Sequence, residues 1–181
     1  MQIRDATDDD IPTIRSLARE AWTEAYGDAV PESVIEDAVS QWYAEETMTR
    51  LLGDDEQVCL VATDEDGEAR RASEDASGER SEPRAGEVVG FAHGATDEDE
   101  GDVLRLSVRP DRWGEGIGSA LLEAVEERLT AMGAERIQAM VLADNEMGNA
   151  FYEDRGFEKT GEAETQLDGT TRTEHVYAKA Y

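Results

Sequence analysis

In "DVLRLSVRPDRWGEGIGSALLEAVEERL" a strand-like run, a proline, three alternate glycines and a helix-forming run follow without a break. Val103, Leu104, Leu106 and Val108 supply the apolar side chains of a strand, and Pro110 cannot extend its hydrogen-bond ladder. Beyond the glycines, Ile117, Leu121, Val125 and Leu129 recur every fourth residue and mark one face of a helix. Glycine weakens a helix interior, so Gly114, Gly116 and Gly118 at its start imply a backbone that must do without side chains. A strand that feeds a helix start through such a turn directs unpaired amides and the positive end of the helix dipole outward, which suits an anion. The turn lacks the Gly-Lys-Ser/Thr ending of a P-loop and the third glycine spacing of a dinucleotide fingerprint. Taken alone, it also satisfies the pattern of a merely tight turn.

The rest of the chain fits a mixed α/β arrangement around this unit. "QIRDAT" reads as a first strand, and a helix with Ile11, Ile14, Leu17, Ala18 and Ala21 on one face runs from Pro12 to Gly27. A second helical stretch opens at Pro31, breaks near Tyr43 and ends at Gly53. "EQVCLVAT" and "GEVVGFAHGAT" read as strands, and "RIQAMVLA" as another beyond the glycine turn. The short helix "NEMGNAFYEDR" stops at Gly156, and two final strands flank an Asp168-Gly169 turn. The connector from about 65 to 85 is charged and nearly devoid of large apolar residues, so it is expected to be a mobile acidic loop. Neither side of it is self-sufficient, and residues 1–181 are read as one domain.

Charge restricts the partners. Aspartate and glutamate number 44 against 17 lysine and arginine, a formal net charge of -27. Such a surface argues against nucleic acid and anionic membranes as partners. The carboxylates are spread over nearly every segment, which is read as adaptation to high salt, where repulsion is screened. The single cysteine, Cys59, lies in an apolar strand and is expected to be a buried structural thiol. No apolar run approaches the ~20 residues of a membrane span and no signal-peptide pattern opens the chain, so a cytoplasmic protein is expected. No Cys/His cluster has the spacing of metal ligands, and no metal is expected.

Two motifs carry a resemblance. "VRPDRWGEGIGSALL" resembles motif A of the GNAT superfamily of N-acetyltransferases, in which V-x-P precedes a Q/R-x-x-G-x-G/A turn. "NEMGNAFYEDRGF", thirty residues on, resembles the family's motif B through Asn145, Phe151-Tyr152 and Gly156-Phe157. Trp113 stands at the Q/R position, with Arg112 one place earlier, and its indole is expected to pack at the surface beside the cofactor. The resemblance implies a mostly antiparallel sheet of about seven strands, splayed at the strand of motif A and flanked by helices.

It also implies acetyl-CoA as co-substrate, its pyrophosphate on the turn formed by Trp113, Gly114, Glu115, Gly116, Ile117, Gly118 and Ser119. Glu115 should point away, since a carboxylate would repel pyrophosphate. Backbone groups of Leu106 and Val108 would meet pantetheine, the Val108 amide would face the developing oxyanion, and Asn145 would contact the cofactor or cap its own helix. Tyr152 matches the family's general acid; Phe151 and Tyr152 are not expected both to face inward on so short a helix. Asp102 is the candidate base, with Glu100 beside it and His93 and His175 as weaker alternatives. Trp22, Tyr26, Trp42 and Tyr43 lie in the segment that lines the acceptor site in the family, although core packing is the commoner role for such spacing. The implied reaction is direct acetyl transfer to a primary amine, on a small molecule or peptide; the alternative is a non-catalytic acyl-CoA-binding regulatory module of the same fold. A homodimer is left open.

Overall fold

The expected order of elements is present in a computed structural model of the chain, which describes residues 1–28, 30–64, 86–167 and 169–181. Strand β1 (Gln2–Asp5) leads into α1 (Ile11–Tyr26), α2 (Glu32–Trp42) and α3 (Glu45–Leu52). Strands β2 (Gln57–Asp64), β3 (Glu87–Asp97) and β4 (Glu100–Val108) precede α4 (Ile117–Ala131). Strand β5 (Arg136–Leu142), α5 (Glu146–Glu153), β6 (Glu158–Leu167) and β7 (Thr170–Ala180) complete it. The connector 65–85 and Asp168 of the expected Asp168-Gly169 turn lie outside the described residues.

The seven strands form one sheet in the order β1-β2-β3-β4-β5-β7-β6. Every neighbouring pair is antiparallel except β4 and β5. That parallel pair is joined only from Glu100↔Arg136 to Val103↔Ala139. Beyond it β4 stays paired with β3 up to Val108, and β5 with β7 up to Leu142, so the sheet opens between them. The opening begins at Leu104, the extra residue of β4 where β3 steps from His93 to Gly94. A bulge of this kind leaves one residue unpaired and bends its strand away from a neighbour.

Each face of the sheet carries its own core. On one face α4 lays Ile117, Leu121, Val125 and Leu129 against Val89, Ala92, Ile137 and Ala139. Gly90 and Gly94 permit that approach: a Cβ there would lie 2.7 Å from Leu121 and 2.8 Å from Val125. On the other face Ile11, Ile14, Leu17 and Ala18 of α1 pack with Ile35, Val61 and Phe91. Cys59 belongs to this second core, and burial pushes its thiol up to about 11, as expected of a structural thiol.

Candidate active site

The opening between β4 and β5 continues into a cleft of about 1090 Å³. One half lies against the start of α4 and α5; the other lies beneath α1 and α2. The first half is largely made of main chain. Gly114 and Gly116 have φ of +81° and +84°, and a Cβ at either would meet nothing within 4 Å. Two of the three glycines therefore serve the left-handed backbone of the turn. Gly118 differs: its Cβ would stand 3.3 Å from the Phe151 ring, so it lets α5 close on α4. No side chain caps α4, and the amides of Ile117, Gly118 and Ser119 have no partner among the described residues. Such a row of free amides can hold an anion.

Side chains frame this backbone. Arg112 is held by Asp64 (2.6 Å) and by Glu115 (2.8 Å). Glu115 is the one residue between Arg112 and Ser119 that does not line the cleft. Arg155, which the sequence reading did not single out, donates to the Ser119 hydroxyl and to the Phe151 carbonyl, and its guanidinium lies 3.7 Å from the Phe151 ring centroid. It makes no ion pair with a carboxylate among the described residues, so its charge faces the cleft beside the free amides. An arginine four residues beyond Phe151 in so acidic a chain was the available signal.

The free edge of β4 enters the same cleft. The Arg109 amide donates to Val89 of β3, which turns the main-chain groups of Val108 and Leu106 toward the gap, since a strand alternates its hydrogen-bonding sides. Trp113 departs from expectation. Its indole Nε1 donates to the Val108 carbonyl at 2.8 Å and its ring packs on the core, because a half-buried indole needs a partner for its N–H. The Val108 carbonyl is thus engaged by protein, while no acceptor of the described residues meets its amide.

Tyr152 and Phe151 both turn inward, contrary to the expectation that a short helix could bury only one. Helix α5 is wedged between α4 and the sheet: Phe151 meets Gly118 and Arg155, while Tyr152 packs on Phe157 and stacks on Tyr177. The Tyr152 residue lines the cleft, and its hydroxyl makes no hydrogen bond among the described residues. Burial first, then the nearby Tyr26 and Glu126, raise its pKa well above the ordinary phenol value, so it stays protonated at neutral pH. Asn145 caps α5 through Gly148 and also donates from Nδ2 to the Tyr26 hydroxyl, both at 2.9 Å. Asp102 lines the cleft at its closed end, opposite Gln138; burial, and then Glu100 and Asp97, raise its pKa.

His93 is not available as a base. It is 1% exposed, both ring nitrogens are engaged, and burial followed by the Arg105 charge lowers its pKa to about 4. His175 hydrogen-bonds Asn149 Oδ1 and does not line the cleft. Of the four aromatic residues in the N-terminal helices, Tyr43 is buried against Phe91. Trp22, Tyr26 and Trp42 form a contiguous wall, with centroids 5.1 and 5.3 Å apart. That wall, with exposed Leu104 and Met140, makes the second half of the cleft apolar, and Arg105 and Glu174 are the charges set into it. Arg105 was legible as a charged residue inside an apolar strand; Glu174 had no signal in "TEHVY".

Three of the solved structures that share this fold illustrate the likeness. PaiA N-acetyltransferase from Thermoplasma acidophilum, in complex with coenzyme A, matches with a TM-score of 0.78 and 21% identity over 99% of this chain and 98% of that chain. Ribosomal-protein-S18-alanine N-acetyltransferase from Escherichia coli gives 0.67 and 19%, covering 99% and 92%. Aminoglycoside 6'-acetyltransferase type Ii gives 0.64 and 18%, covering 99% and 97%. Among the described residues, no helix is long and apolar enough to cross a membrane. The model of the acetyltransferase (GNAT) family, whose characteristic co-substrate is acetyl-CoA, matches residues 11–157, and the chain belongs to that family.

Proposed function

We propose that the chain is an N-acetyltransferase that moves an acetyl group from acetyl-CoA to a primary amine by direct attack. The observation that carries this reading is the continuity of the cleft: free amides at the start of α4 lead, past the unpaired edge of β4, to a second half walled by aromatic side chains. When bound, acetyl-CoA supplies an activated thioester. The amides from Gly114 through Ser119 hold its pyrophosphate, and Arg155 adds a positive charge beside them. Leu106 and Val108 offer main-chain groups to the pantetheine arm, and the Val108 amide donates toward the negative charge that develops on the carbonyl oxygen. Trp113 steadies that segment through the Val108 carbonyl. Asn145 fixes the start of α5 and the position of Tyr26.

Three proton movements complete the reaction. The ammonium form of the acceptor gives up its proton before attack, and Asp102 receives it through water. Tyr152 donates its phenolic proton to the departing sulfur, a role that suits a hydroxyl facing the cleft with no competing partner, and the second proton of the attacking nitrogen, released as the amide forms, restores the phenol. Thiol release from acetyl-CoA, measured over a panel of primary amines, tests the reading. Acetyl-CoA binding without release by any amine would replace it with a non-catalytic acyl-CoA-binding module. We also infer adaptation to high salt and a cytoplasmic setting. The spread of carboxylates supports the first; a melting temperature that fails to rise from ~0.01 M to ~1 M salt, as the Debye length falls from ~30 to ~3 Å, would remove it.

A further inference from the structure

The acceptor half of the cleft contains a charge that the proposed reaction leaves unused. Arg105 lines it from β4, between the bulge residue Leu104 and Leu106. Several of the described arginines sit on carboxylates: Arg4 on Asp10, Arg109 on Glu87 and Asp111, Arg112 on Asp64 and Glu115, Arg128 on Asp5. Arg105 makes no ion pair among the described residues, in a chain with 44 acidic residues to 17 basic. Its partners are neutral. One Nη donates to His93 Nδ1 at 2.8 Å, the other to the Trp42 carbonyl at 3.2 Å, and the guanidinium stands 5.0 Å from the Tyr43 ring centroid. Of the five N–H groups a guanidinium carries, two are used.

The support beneath it is built to keep that charge in place. Arg105 can only donate, so His93 Nδ1 accepts and the imidazole proton sits on Nε2, which donates to Gln57 Oε1 at 2.7 Å. A buried neutral histidine thus anchors an arginine that lines the cleft with the rest of its donors unused among the described residues. Across the gap Glu174 lines the cleft from β7, opposite Leu142, with no ion pair among the described residues. Asp102 is level with Gln138; Arg105 lies three residues further along β4, and Leu142 four further along β5. At ~3.3 Å per residue the two unpaired charges flank the splay at nearly the same height. A cation on one wall and a carboxylate on the other complement a ligand that carries both signs.

Resting on the acetyltransferase reading, we propose that the acceptor is an amino carboxylate, a small amine that also bears a carboxylate, and that Arg105 binds that carboxylate. Glu174 then faces the ammonium end, and the wall of Trp22 and Trp42 covers the apolar body. A dicationic acceptor would place a charge of the wrong sign against Arg105.

The test pairs each amino carboxylate with its decarboxylated amine: phenylalanine with phenethylamine, leucine with isoamylamine, glutamate with 4-aminobutyrate as a shifted-carboxylate control. Thiol release is followed for each, and acetyl-CoA affinity is measured separately by calorimetry. Carboxylate-bearing members should win in kcat/KM by at least about tenfold, and Arg105→Gln should raise their KM about 10- to 100-fold while shifting that of the decarboxylated amines by far less. Arg105→Lys, which keeps the charge without the fork, should recover part of the loss. Equal or better use of the decarboxylated amines overturns the inference alone, as does a carboxylate preference that survives Arg105→Gln. Should Arg105→Gln fail to fold, the wild-type panel still decides. Failure of acetyl-CoA to bind overturns the enzymatic reading and this inference with it.

Discussion

The two halves of the cleft are built from different materials. The half at the start of α4 is main chain: left-handed glycines, uncapped amides and a free strand edge, all within residues 106–119. The half beneath α1 and α2 is side chain: Trp22, Trp42, Arg105, Met140 and Glu174 arrive from five separate elements. A site made of backbone requires particular residues at fixed local spacing, whereas a site made of side chains requires only that distant positions meet. The first tolerates changes of surface charge and fails when its backbone is altered. The second should respond to single side chains and to their protonation.

The largest effect is expected where the backbone itself is attacked. Gly116→Glu puts a β-carbon on a residue at φ +84° and a carboxylate among the free amides. Acetyl-CoA binding should become undetectable by calorimetry. The left-handed strain should lower the melting temperature by about 2–12 °C, from about 1–3 kcal/mol in a chain of this size. Gly116→Ala separates the causes. Nothing lies within 4 Å of its Cβ, so it should show a similar thermal loss yet bind measurably. If both variants lose binding equally, conformation alone makes the site; if the glutamate variant binds normally, the backbone account of this half is wrong.

This division also explains what could be read in advance. Strand and helix periodicity gave the element order, and the proline–glycine turn with Asn145 and Phe151-Tyr152 carried the family resemblance, since each is a local requirement. The hydrogen bond from Trp113 to Val108 was missed because it depends on how a turn folds back, which spacing does not encode. The inward packing of both half-buried Phe151 and buried Tyr152 was missed because a helix packed between two layers has two inward faces. Glu174 could not be distinguished among 44 acidic residues until β7 and β5 were in register. Arg105 could have been singled out, because a charged residue facing neutral partners inside an apolar strand is costly unless it serves something.

Tyr152 sits where the halves meet, so removing its hydroxyl should affect chemistry without affecting either wall. Tyr152→Phe keeps the ring against Phe157 and Tyr177. Turnover should fall toward the lower end of ~10²–10⁴, the usual contribution of a positioned acid, because a thiolate is a fairly good leaving group. Acetyl-CoA affinity and melting temperature should hardly move. Near-normal turnover with the ring in place would mean that water protonates the sulfur.

The acceptor half should carry a pH dependence that the cofactor half lacks. His93, between Gln57 and Arg105, has its folded pKa lowered by burial, and then by the Arg105 charge, to about 4 from the ordinary imidazole value of 6.5. Between those values the unfolded chain binds more protons than the folded one. The contribution is therefore complete above about 6.5 and is lost as pH falls through about 4, at most about 3 kcal/mol. His93→Gln keeps an acceptor for Arg105 but cannot titrate. The stability difference between wild type and variant should shrink by that amount as pH falls across the window, a comparison in which the carboxylate background cancels. A constant difference would mean that His93 protonates in place and the network beneath Arg105 is soft.

The smallest effect is expected from a side chain in the backbone-built half. Glu115 is exposed, lies between the two left-handed glycines and holds Arg112 at 2.8 Å without lining the cleft. Glu115→Gln keeps the turn and its size and removes one negative charge near the free amides. Arg112 keeps Asp64 at 2.6 Å, so its position should hold. An exposed pair of this kind is worth about 0.2–1 kcal/mol, so stability should change by no more than that. The lost repulsion should tighten acetyl-CoA by about 2- to 5-fold at low salt, and the gain should fade as salt rises, since exposed charges are screened. Calorimetry at two ionic strengths measures both. A loss of affinity larger than tenfold would show that the Glu115–Arg112 pair shapes the turn, and the contrast between a backbone half and a side-chain half would then break at its strongest point.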